Sequence, residues 1–560
     1  MQSGKFEPIA STSSDGIVAN EETQSDVDSI GGNSSTTTSE SSEYEPSCST
    51  KHRIHCKDQS KVSVDIDYLA LMSDKTGVSD RSVATLASAV LEGAGIVSKC
   101  DTSHVIDRSK VRRARKRVRS EIIEESKSSD PLESIYFDGR IDTTKFQEVV
   151  GSRRYVKSIK EDHISLIQEP GSHYLGHITP LTGSAKNVSS SIMDFLFSND
   201  IDTNDLKAIG CDGTAVNTGH KGGIIRLLEE KLERPLHWFV CLLHANELPL
   251  RHLMKHIDGK TTGPATFNGP IGNKLYDCEK LDITNFAAIE SEFINLNSID
   301  LSTDQQYLLQ IYNAISSGHC SNHLARKNPG KMHHARWLTT ANRILRLYIS
   351  EPNPSSGLGS IVNYIMKMYV PVWFSIKVFP SVFQGAKHLF KMITGARSLE
   401  PDSRIIVFKV IENNAYFAHP ENLLLAMIGD DNIAVRELGY RRILKARTNV
   451  PKNLRPFKMP KLLLNAKEYH EMIDWQTVEL TEPSITKNIT NDEIHALIKK
   501  KEKLLSISDF PCHTQAVERT IKLVTEASMS VIGPRNRDGF IHARIEGRKR
   551  LPVFETKGDY

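Results

Sequence analysis

The sequence predicts an α/β protein whose sheet is interrupted by a long, mainly helical segment. Three apolar runs separated by turn residues fall between positions 132 and 178. A strand, helix, strand pattern follows at 206–244, and helical spacing dominates from 261 to 500. We therefore divide the chain into a disordered tail (1–60), a small helical region with a basic run (61–130), a sheet core (131–260), a helical insertion (261–500) and a last helix with a C-terminal segment (501–560).

Length and composition bound the class of protein. At 560 residues the chain exceeds what one core usually supports, so two or three folding units are expected. No apolar run approaches the roughly 18 residues that span a bilayer, and no charged segment leads into an apolar one at the start, so we expect neither a membrane partner nor secretion. The eight cysteines include no C-x-x-C pair, which indicates reduced thiols of a cytosolic or nuclear protein.

The first 50 positions carry nine acidic residues against a single basic one, in a matrix of Ser, Thr and Gly. Such a segment cannot bury enough apolar surface to fold, so it is predicted to be disordered. Helical spacing begins near position 62 and is clearest in Val83, Leu86, Val90 and Leu91. A small helical domain or a docking arm fits this region.

Seven of the ten residues at 110–119 are basic, and no acidic residue interrupts them. A run this dense is typical of nuclear import signals, or of salt-dependent contacts with phosphates. The alternative is a solvated helix face, but such a face normally interleaves acids, so we favour the functional interpretation and a nuclear location. The basic residues are Lys110, Arg112, Arg113, Arg115, Lys116, Arg117 and Arg119.

The predicted core carries an acid at the end of its first and of its fourth strand. The run 135–137 leads into Asp138, strands at 164–168 and 174–178 follow, and a helix at 188–197 precedes a fourth strand that ends at Asp212. A helix at 223–232 and a strand at 236–243 complete the order. Side chains alternate along a strand, so Asp212 shares a face with Ala208 and Gly210, which would leave room for an ion or a phosphate. The alternative for Asp212 is an ordinary Asp-Gly turn.

A third acid, Glu518, begins a late helix that Thr514 can cap after Pro511. This order of strands and acids resembles the ribonuclease-H-like fold, in which the first and fourth strands lie side by side and a late helix adds the third carboxylate. Without that role, Glu518 would complement the helix dipole or pair with Lys522 on the surface.

Further segments make the chain resemble the hAT superfamily of transposases, whose ribonuclease-H-like core holds a large helical insertion. Cys241-Leu-Leu-His244 resembles the C-x-x-H element of the family, and Ala335-Arg336-Trp337 resembles the Arg-Trp at the start of its insertion. Glu518 follows Asp212 by 306 positions, which suits an insertion of family size, and the segment 510–560 resembles the end of a group of hAT-like proteins. Residues 1–130 lack the Cys/Cys/His/His spacing of the BED-type zinc finger that begins many members.

The resemblance implies a DNA recombination enzyme of a transposable element, which acts in the nucleus on transposon ends and flanking DNA. It also implies that the enzyme could be a homo-oligomer and that it has no small-molecule substrate. Cleavage of a phosphodiester needs an activated hydroxyl and a stabilised leaving oxygen, which two hard cations about 4 Å apart supply. Mg²⁺ prefers oxygen ligands, so two Mg²⁺ ions, or Mn²⁺, would be held by the DDE set Asp138, Asp212 and Glu518.

Zinc is a weaker alternative, because Cys241 and His244 could form a Cys₂His₂ site with Cys320 and His323. We favour instead a Cys241 that packs as a small apolar residue in its strand. His244 would then emerge at the strand end, where it could contact DNA or orient a carboxylate.

The insertion should contain helices at 307–316, 339–349, 361–368 and 421–428. The family places the residues matching Arg336 and Trp337 near DNA beside the cut, where an aromatic face stacking on a base contributes about 1–3 kcal/mol. A buried core tryptophan is an equal alternative. The segment 441–461 contains eight basic residues and no acid, and its three prolines preclude a long regular helix. It is predicted to be a mobile strap on the DNA backbone, or else a solvated loop. The residues of this segment that we assign to DNA binding are Arg441, Arg442, Lys445 and Arg447.

Two classes of function follow. The first is an active transposase with all three carboxylates. The second is a domesticated or decayed derivative that binds DNA or protein without nuclease activity, suggested by the missing zinc finger and the acidic tail. A third hypothesis is a ribonuclease-H-like nuclease unrelated to transposition.

Overall fold

The computed structural model describes residues 64–126, 131–263, 266–296, 301–332, 337–448, 454, 457–504 and 506–550. The tail predicted to be disordered and Arg336 lie outside this set. The chain divides into two compact units, Met1–Arg115 and Lys116–Tyr560, which are described separately. Across the described helices, none is both long enough and apolar enough to cross a bilayer.

The first unit contains α1 (Ile66–Thr76), α2 (Asp80–Gly93) and the start of α3 (Arg108–Glu125). Asp65 accepts a hydrogen bond from the Tyr68 N–H at the start of α1, and Ser79 accepts one from Ser82 at the start of α2. Val83, Leu91 and Val111 are among the buried residues that form the core of this unit. The described part of the first unit therefore folds around a small core of its own, which ends at Val111.

The second unit holds a mixed five-stranded sheet in the order β3-β2-β1-β4-β5. The first three strands form an antiparallel meander, whereas β1 pairs with β4, and β4 with β5, in parallel. The predicted α/β class and the expected adjacency of the first and fourth strands are confirmed. The elements of this part are β1 (Ser134–Val150), β2 (Arg153–Gln168), β3 (His173–Ile178), α4 (Ala185–Ser198), β4 (Ala208–Cys211), α5 (Ala215–Thr218), α6 (Ile224–Leu232), β5 (His237–Val240) and α7 (Leu242–Asp258).

Helices pack on both faces of the sheet because its parallel strands alternate apolar residues to either side. Ile135, Ile209 and Trp238 belong to one buried cluster together with residues of α4 and α6. Tyr136 and Phe239, one position along in each strand, belong to the other cluster, which includes α7 and much of the insertion. The sheet thus separates two cores.

The remainder is mainly helical, and the four helices predicted within the insertion are confirmed. A π-helical turn, Ile365–Tyr369, joins two of its helices. The elements are β6 (Thr261–Gly263), β7 (Thr266–Phe267), α8 (Pro270–Lys274), α9 (Thr303–Ser317), α10 (Asn322–Arg326), α11 (Leu338–Tyr348), α12 (Ser356–Tyr364), α13 (Val370–Val378), α14 (Val382–Arg397), α15 (Pro401–Asn413), α16 (Pro420–Ile428), α17 (Ile433–Thr448), α18 (Asn491–Lys500), α19 (Gln515–Ser530) and α20 (Pro534–Lys549).

Three local predictions were wrong. Asp138 does not end its strand, because β1 continues for twelve further residues as an exposed hairpin with β2. The last core strand stops at Val240, since the Cys241 thiol accepts the His244 N–H and so caps α7. His244 therefore lies in a helix and not at a strand end. The segment expected to be a strap is helical through Thr448, because its prolines all come later in the chain.

Candidate active site

The three predicted carboxylates line one pocket. Asp138 lies in β1, Asp212 directly follows β4, and Glu518 lies in the first turn of α19. The pocket encloses about 350 Å³, including the part open to solvent. Its other lining residues are Tyr136, Phe137, Gly210, Cys211, Phe239, Cys241, Cys512, His513, Thr514 and Val517. Acids separated by up to 380 positions in sequence therefore share one concave surface.

The strand register explains why the two aspartates meet. In the parallel pairing of β1 with β4, Tyr136 lies beside Gly210. Asp138 and Asp212 each follow two residues later, so a continuation of this register places them level with one another, just beyond the carboxyl end of β4. Both side chains also fall on the face that α19 covers, since side chains two positions apart in a strand point the same way.

Hydrogen bonds to a single oxygen orient the Asp212 carboxylate. Its Oδ1 accepts the Thr214 N–H at 3.2 Å, the Thr214 hydroxyl at 2.9 Å and the Asn217 side-chain amide. Within the described part of the chain, no hydrogen bond reaches Oδ2. Asp212 thus forms the predicted Asp-Gly turn through one oxygen, and the two interpretations of this residue are compatible.

The space expected beside Gly210 is not open. A Cβ at Gly210 would lie 2.1 Å from Cδ1 of Tyr136, so the tyrosine ring fills the gap that the glycine leaves. The Tyr136 hydroxyl donates to the Pro511 carbonyl at 2.8 Å, and burial raises its pKa well above the ordinary value. The room that Gly210 was expected to leave beside Asp212 is therefore filled by the Tyr136 ring, because the glycine accommodates close packing of β1 against β4.

Glu518 is placed by the start of its helix. The Thr514 hydroxyl accepts the Ala516 N–H and donates to Glu169 at 2.5 Å, which ties α19 to the end of β2. Val517 and Val524, on the same helix, are buried. The Glu518 side chain is about one-third exposed, and its Oε1 lies 3.9 Å from Nε2 of His513.

His513 links Glu518 to a cysteine. Its Nδ1 lies 3.3 Å from the Cys241 sulfur, and the ring is buried between the two groups. Cys241 is half-buried and does not pack within a strand as predicted, since it begins α7. His513 was not predicted from the sequence, although its place in Pro511-Cys-His513, immediately before the Thr514 cap, could have indicated it.

The donor chemistry of the pocket fits a hard cation better than a soft one. Burial raises the pKa of the Cys211 thiol well above its ordinary value, and it does the same for Cys512. In the metal-free protein these two thiols therefore stay protonated at neutral pH. The carboxylates supply the oxygen atoms that Mg²⁺ prefers.

The side chains do not form a preassembled metal centre. Among the described residues, no three His, Cys, Asp or Glu side chains come together in a group that could hold a metal ion. This applies to the three carboxylates and equally to the Cys₂His₂ combination considered for zinc. Cation binding would therefore require the carboxylates to converge from the positions they occupy on the pocket wall.

Trp337, proposed from the resemblance to contact DNA, is in the core. It is 3% exposed, its backbone N–H donates to the Glu247 carboxylate, and its ring meets Phe267 edge to face at 5.7 Å. Stacking on a base would require the indole to leave this position, so the structure favours the core alternative. His244 lies against Gly213, within reach of the Asp212 turn.

The cations predicted to form a DNA strap are partly used inside the protein. Arg447 bonds Glu482 at 2.7 Å, and Arg442 lies over the Trp475 ring at 3.9 Å, where burial lowers its pKa. Arg441 pairs with Glu437 along the exposed face of α17, and Lys445 is exposed there. Arg441 and Lys445, on the exposed face of α17, are therefore the cations of this helix that can reach DNA. Arg442 and Arg447 are held by Trp475 and Glu482.

The basic run at 110–119 is an amphipathic part of α3. Arg115 bonds Asp74 and Asp80 at 3.3 and 2.6 Å, and Lys110 donates to a backbone carbonyl. Arg119 lies 5.4 Å from the centre of the Phe540 ring. The remaining cations, Arg112, Arg113, Lys116 and Arg117, are exposed.

A scan against known protein families found no match, and a search of curated proteins found none either.

Proposed function

We propose that this protein is a hAT-like DNA transposase, or a protein derived from one, with a ribonuclease-H-like core that cuts and joins DNA phosphodiesters. The observation that supports this most is the position of Asp138, Asp212 and Glu518 on one pocket. Nothing in local secondary structure requires residues so far apart in sequence to meet. A shared chemical task is a sufficient reason for three acids to do so.

In this proposal the carboxylates hold two divalent cations, which would polarise the attacking hydroxyl and stabilise the leaving oxygen. Asp212 is held in place through Oδ1 by the Thr214 and Asn217 groups. Glu518 projects from a helix start tied to β2 through Thr514, so it approaches the aspartates from a second direction. His513, between Glu518 and Cys241, restrains that approach.

DNA is the proposed substrate because both units also carry exposed cations. Arg112, Arg113, Lys116 and Arg117 are exposed on α3, and Lys445 is exposed on α17. Such groups bind phosphates and position a duplex without reading its sequence. The same α3 cations are the proposed nuclear import signal.

The test is cleavage of duplex DNA that carries the protein's own transposon ends, by purified full-length protein with Mg²⁺ or Mn²⁺. We expect nicking by the wild type and a loss of at least about 100-fold in Asp212→Asn, because a neutral amide cannot replace a carboxylate ligand. The matched control is Asp205→Asn, which removes an exposed acid from the loop before β4. Equal cleavage by Asp212→Asn and Asp205→Asn would remove the pocket from the mechanism.

The second candidate is a derivative that binds DNA without cutting it. It is favoured by one observation, the lack of a preassembled group of metal ligands among the described residues. In that case wild type and Asp212→Asn would bind duplex DNA equally well, and neither would nick it with any divalent cation.

A further inference from the structure

The β1–β2 hairpin extends well beyond the sheet. Register pairs run without interruption from Tyr136 with Ile167 to Val150 with Arg153. Only the first part of this ladder is covered by β3 and β4, which end at Ile178 and Cys211. Residues 141–150 and 153–162 therefore form a two-stranded ribbon, and most of its side chains are exposed.

The two faces of the ribbon differ in charge. Directly paired residues of an antiparallel ladder share a face, and successive residues alternate. The first face carries Lys145, Arg154 and Lys160, and its single acid, Asp162, lies at the base of the ribbon. We call it the basic face. Its members are Ile141, Thr143, Lys145, Gln147, Val149, Arg154, Val156, Ser158, Lys160 and Asp162.

On the opposite face, the acids Asp142, Glu148 and Glu161 outnumber the cations Arg153 and Lys157. Lys157 pairs with Glu148 at 2.5 Å, and Arg140, just before the ribbon, pairs with Asp142 at 3.3 Å. A third acid there, Glu161, lies 3.6 Å from the Arg537 guanidinium. That face carries no excess of positive charge.

The cations of the basic face have no such partners. Lys145, Arg154 and Lys160 are all exposed, and within the described part of the chain no carboxylate lies within ion-pair distance of any of them. Around them the face offers Thr143, Gln147 and Ser158, which can donate hydrogen bonds to phosphate oxygens. The surface is thus complementary to an extended anion.

The ribbon leaves the sheet beside the candidate active site. β1 passes through Asp138 and continues directly into the ribbon. At about 3.4 Å per residue, the rows from Lys160 to Arg154 span about 20 Å, which matches about six base pairs of duplex at 3.4 Å each. A duplex cut in the pocket would have flanking phosphates within this range.

We infer that the basic face of the ribbon binds the phosphate backbone of duplex DNA beside the cut. A two-stranded ribbon is narrow enough to enter the major groove, where Lys145, Arg154 and Lys160 would meet phosphates. The inference rests on the proposed function for its substrate class. It assigns DNA positioning to a surface that does not include the insertion cations.

The experiment measures binding of full-length protein to an unrelated duplex of about 40 base pairs by fluorescence anisotropy, in EDTA, over a range of salt concentrations. One variant combines Lys145→Gln, Arg154→Gln and Lys160→Gln. The matched control combines Arg140→Gln, Arg153→Gln and Lys157→Gln, which removes the same charge from the other side of the hairpin.

Each phosphate contact contributes about 0.9 to the slope of log affinity against log salt. We expect the basic-face variant to lose about 2.7 from that slope and up to about 500-fold in affinity at 0.1 M salt, and we expect the control to lose far less. A third variant keeps the three charges by combining Lys145→Arg, Arg154→Lys and Lys160→Arg. It should bind DNA as the wild type does, which separates the effect of lost charge from misfolding.

Other outcomes overturn the inference in distinguishable ways. Equal slopes for the variant and the control would overturn it and leave the proposed function standing. Absence of DNA binding by the wild type would overturn both. A basic-face variant that changes from dimer to monomer in light scattering would assign the face to a second copy of the chain instead of DNA.

Discussion

Replacing Gly210 by alanine tests the close approach of β1 and β4 that brings the two aspartates together. The new methyl would lie 2.1, 2.3 and 2.6 Å from three ring carbons of Tyr136, where ordinary carbon contacts are about 3.5–4.0 Å. The ring cannot easily yield, because it is 4% exposed, stacks on Phe239 and donates its hydroxyl to Pro511. Overpacking of this kind costs about 1–3 kcal/mol, and we expect the upper end of that range.

The assay is urea unfolding of full-length protein, compared with Gly222→Ala. A Cβ at Gly222 meets no atom within 4 Å, so this control should stay within about 0.5 kcal/mol of the wild type. Combining Gly210→Ala with Tyr136→Leu should cost less than the sum of the single changes, by about 1 kcal/mol or more, because the methyl then has space. If Gly210→Ala were as harmless as Gly222→Ala, the proposed register between β1 and β4 would be refuted.

Three other perturbations test separate parts of the structure. Arg115→Ala should destabilise the first unit by up to about 3 kcal/mol, because it removes the guanidinium that pairs with the buried Asp74 carboxylate. Arg112→Ala, at an exposed position, should leave thermal unfolding unchanged, and equal melting of the two variants would contradict this. Thr514→Ala should cost about 1 kcal/mol in urea unfolding through the lost helix cap, and no loss would show that the cap is not formed. The raised pKa of Cys512 keeps its thiol protonated, so alkylation followed by mass spectrometry should label exposed Cys100 readily and Cys512 only at strongly alkaline pH; labelling of both at pH 8 would show that the pocket opens.

The order of the core elements could be predicted from sequence because each element carries its own periodicity. Alternating runs bounded by Glu169-Pro170-Gly171 indicated the meander, and the adjacency of β1 and β4 came from the resemblance. What occupies the space beside Gly210 could not be predicted, since that depends on which side chain of β1 lies opposite. The contact of His513 with both Cys241 and Glu518 likewise depends on tertiary structure.

Boundaries were harder to predict where a side chain overrides a pattern. The apolar run at 236–243 continues through the start of α7, so hydrophobicity alone could not show that Cys241 ends the strand and caps the helix. The ribbon was missed because its residues are exposed on both sides and lack a buried alternation. Arg442 and Arg447 were assigned to DNA because their positive charge can be read from the sequence. Their partners in the structure, Trp475 and Glu482, are more than 30 positions further along the chain, so these contacts could not be predicted.

Direct binding of Mn²⁺ tests the central claim that the three acids form one cation site. In a titration followed by electron paramagnetic resonance of free Mn²⁺, we expect saturable binding by the wild type. Asp212→Asn and Glu518→Gln should each weaken it at least about tenfold, and Asp205→Asn should leave it unchanged. Binding that neither pocket variant alters would contradict the account, because Asp212 and Glu518 would then share a pocket without sharing a metal.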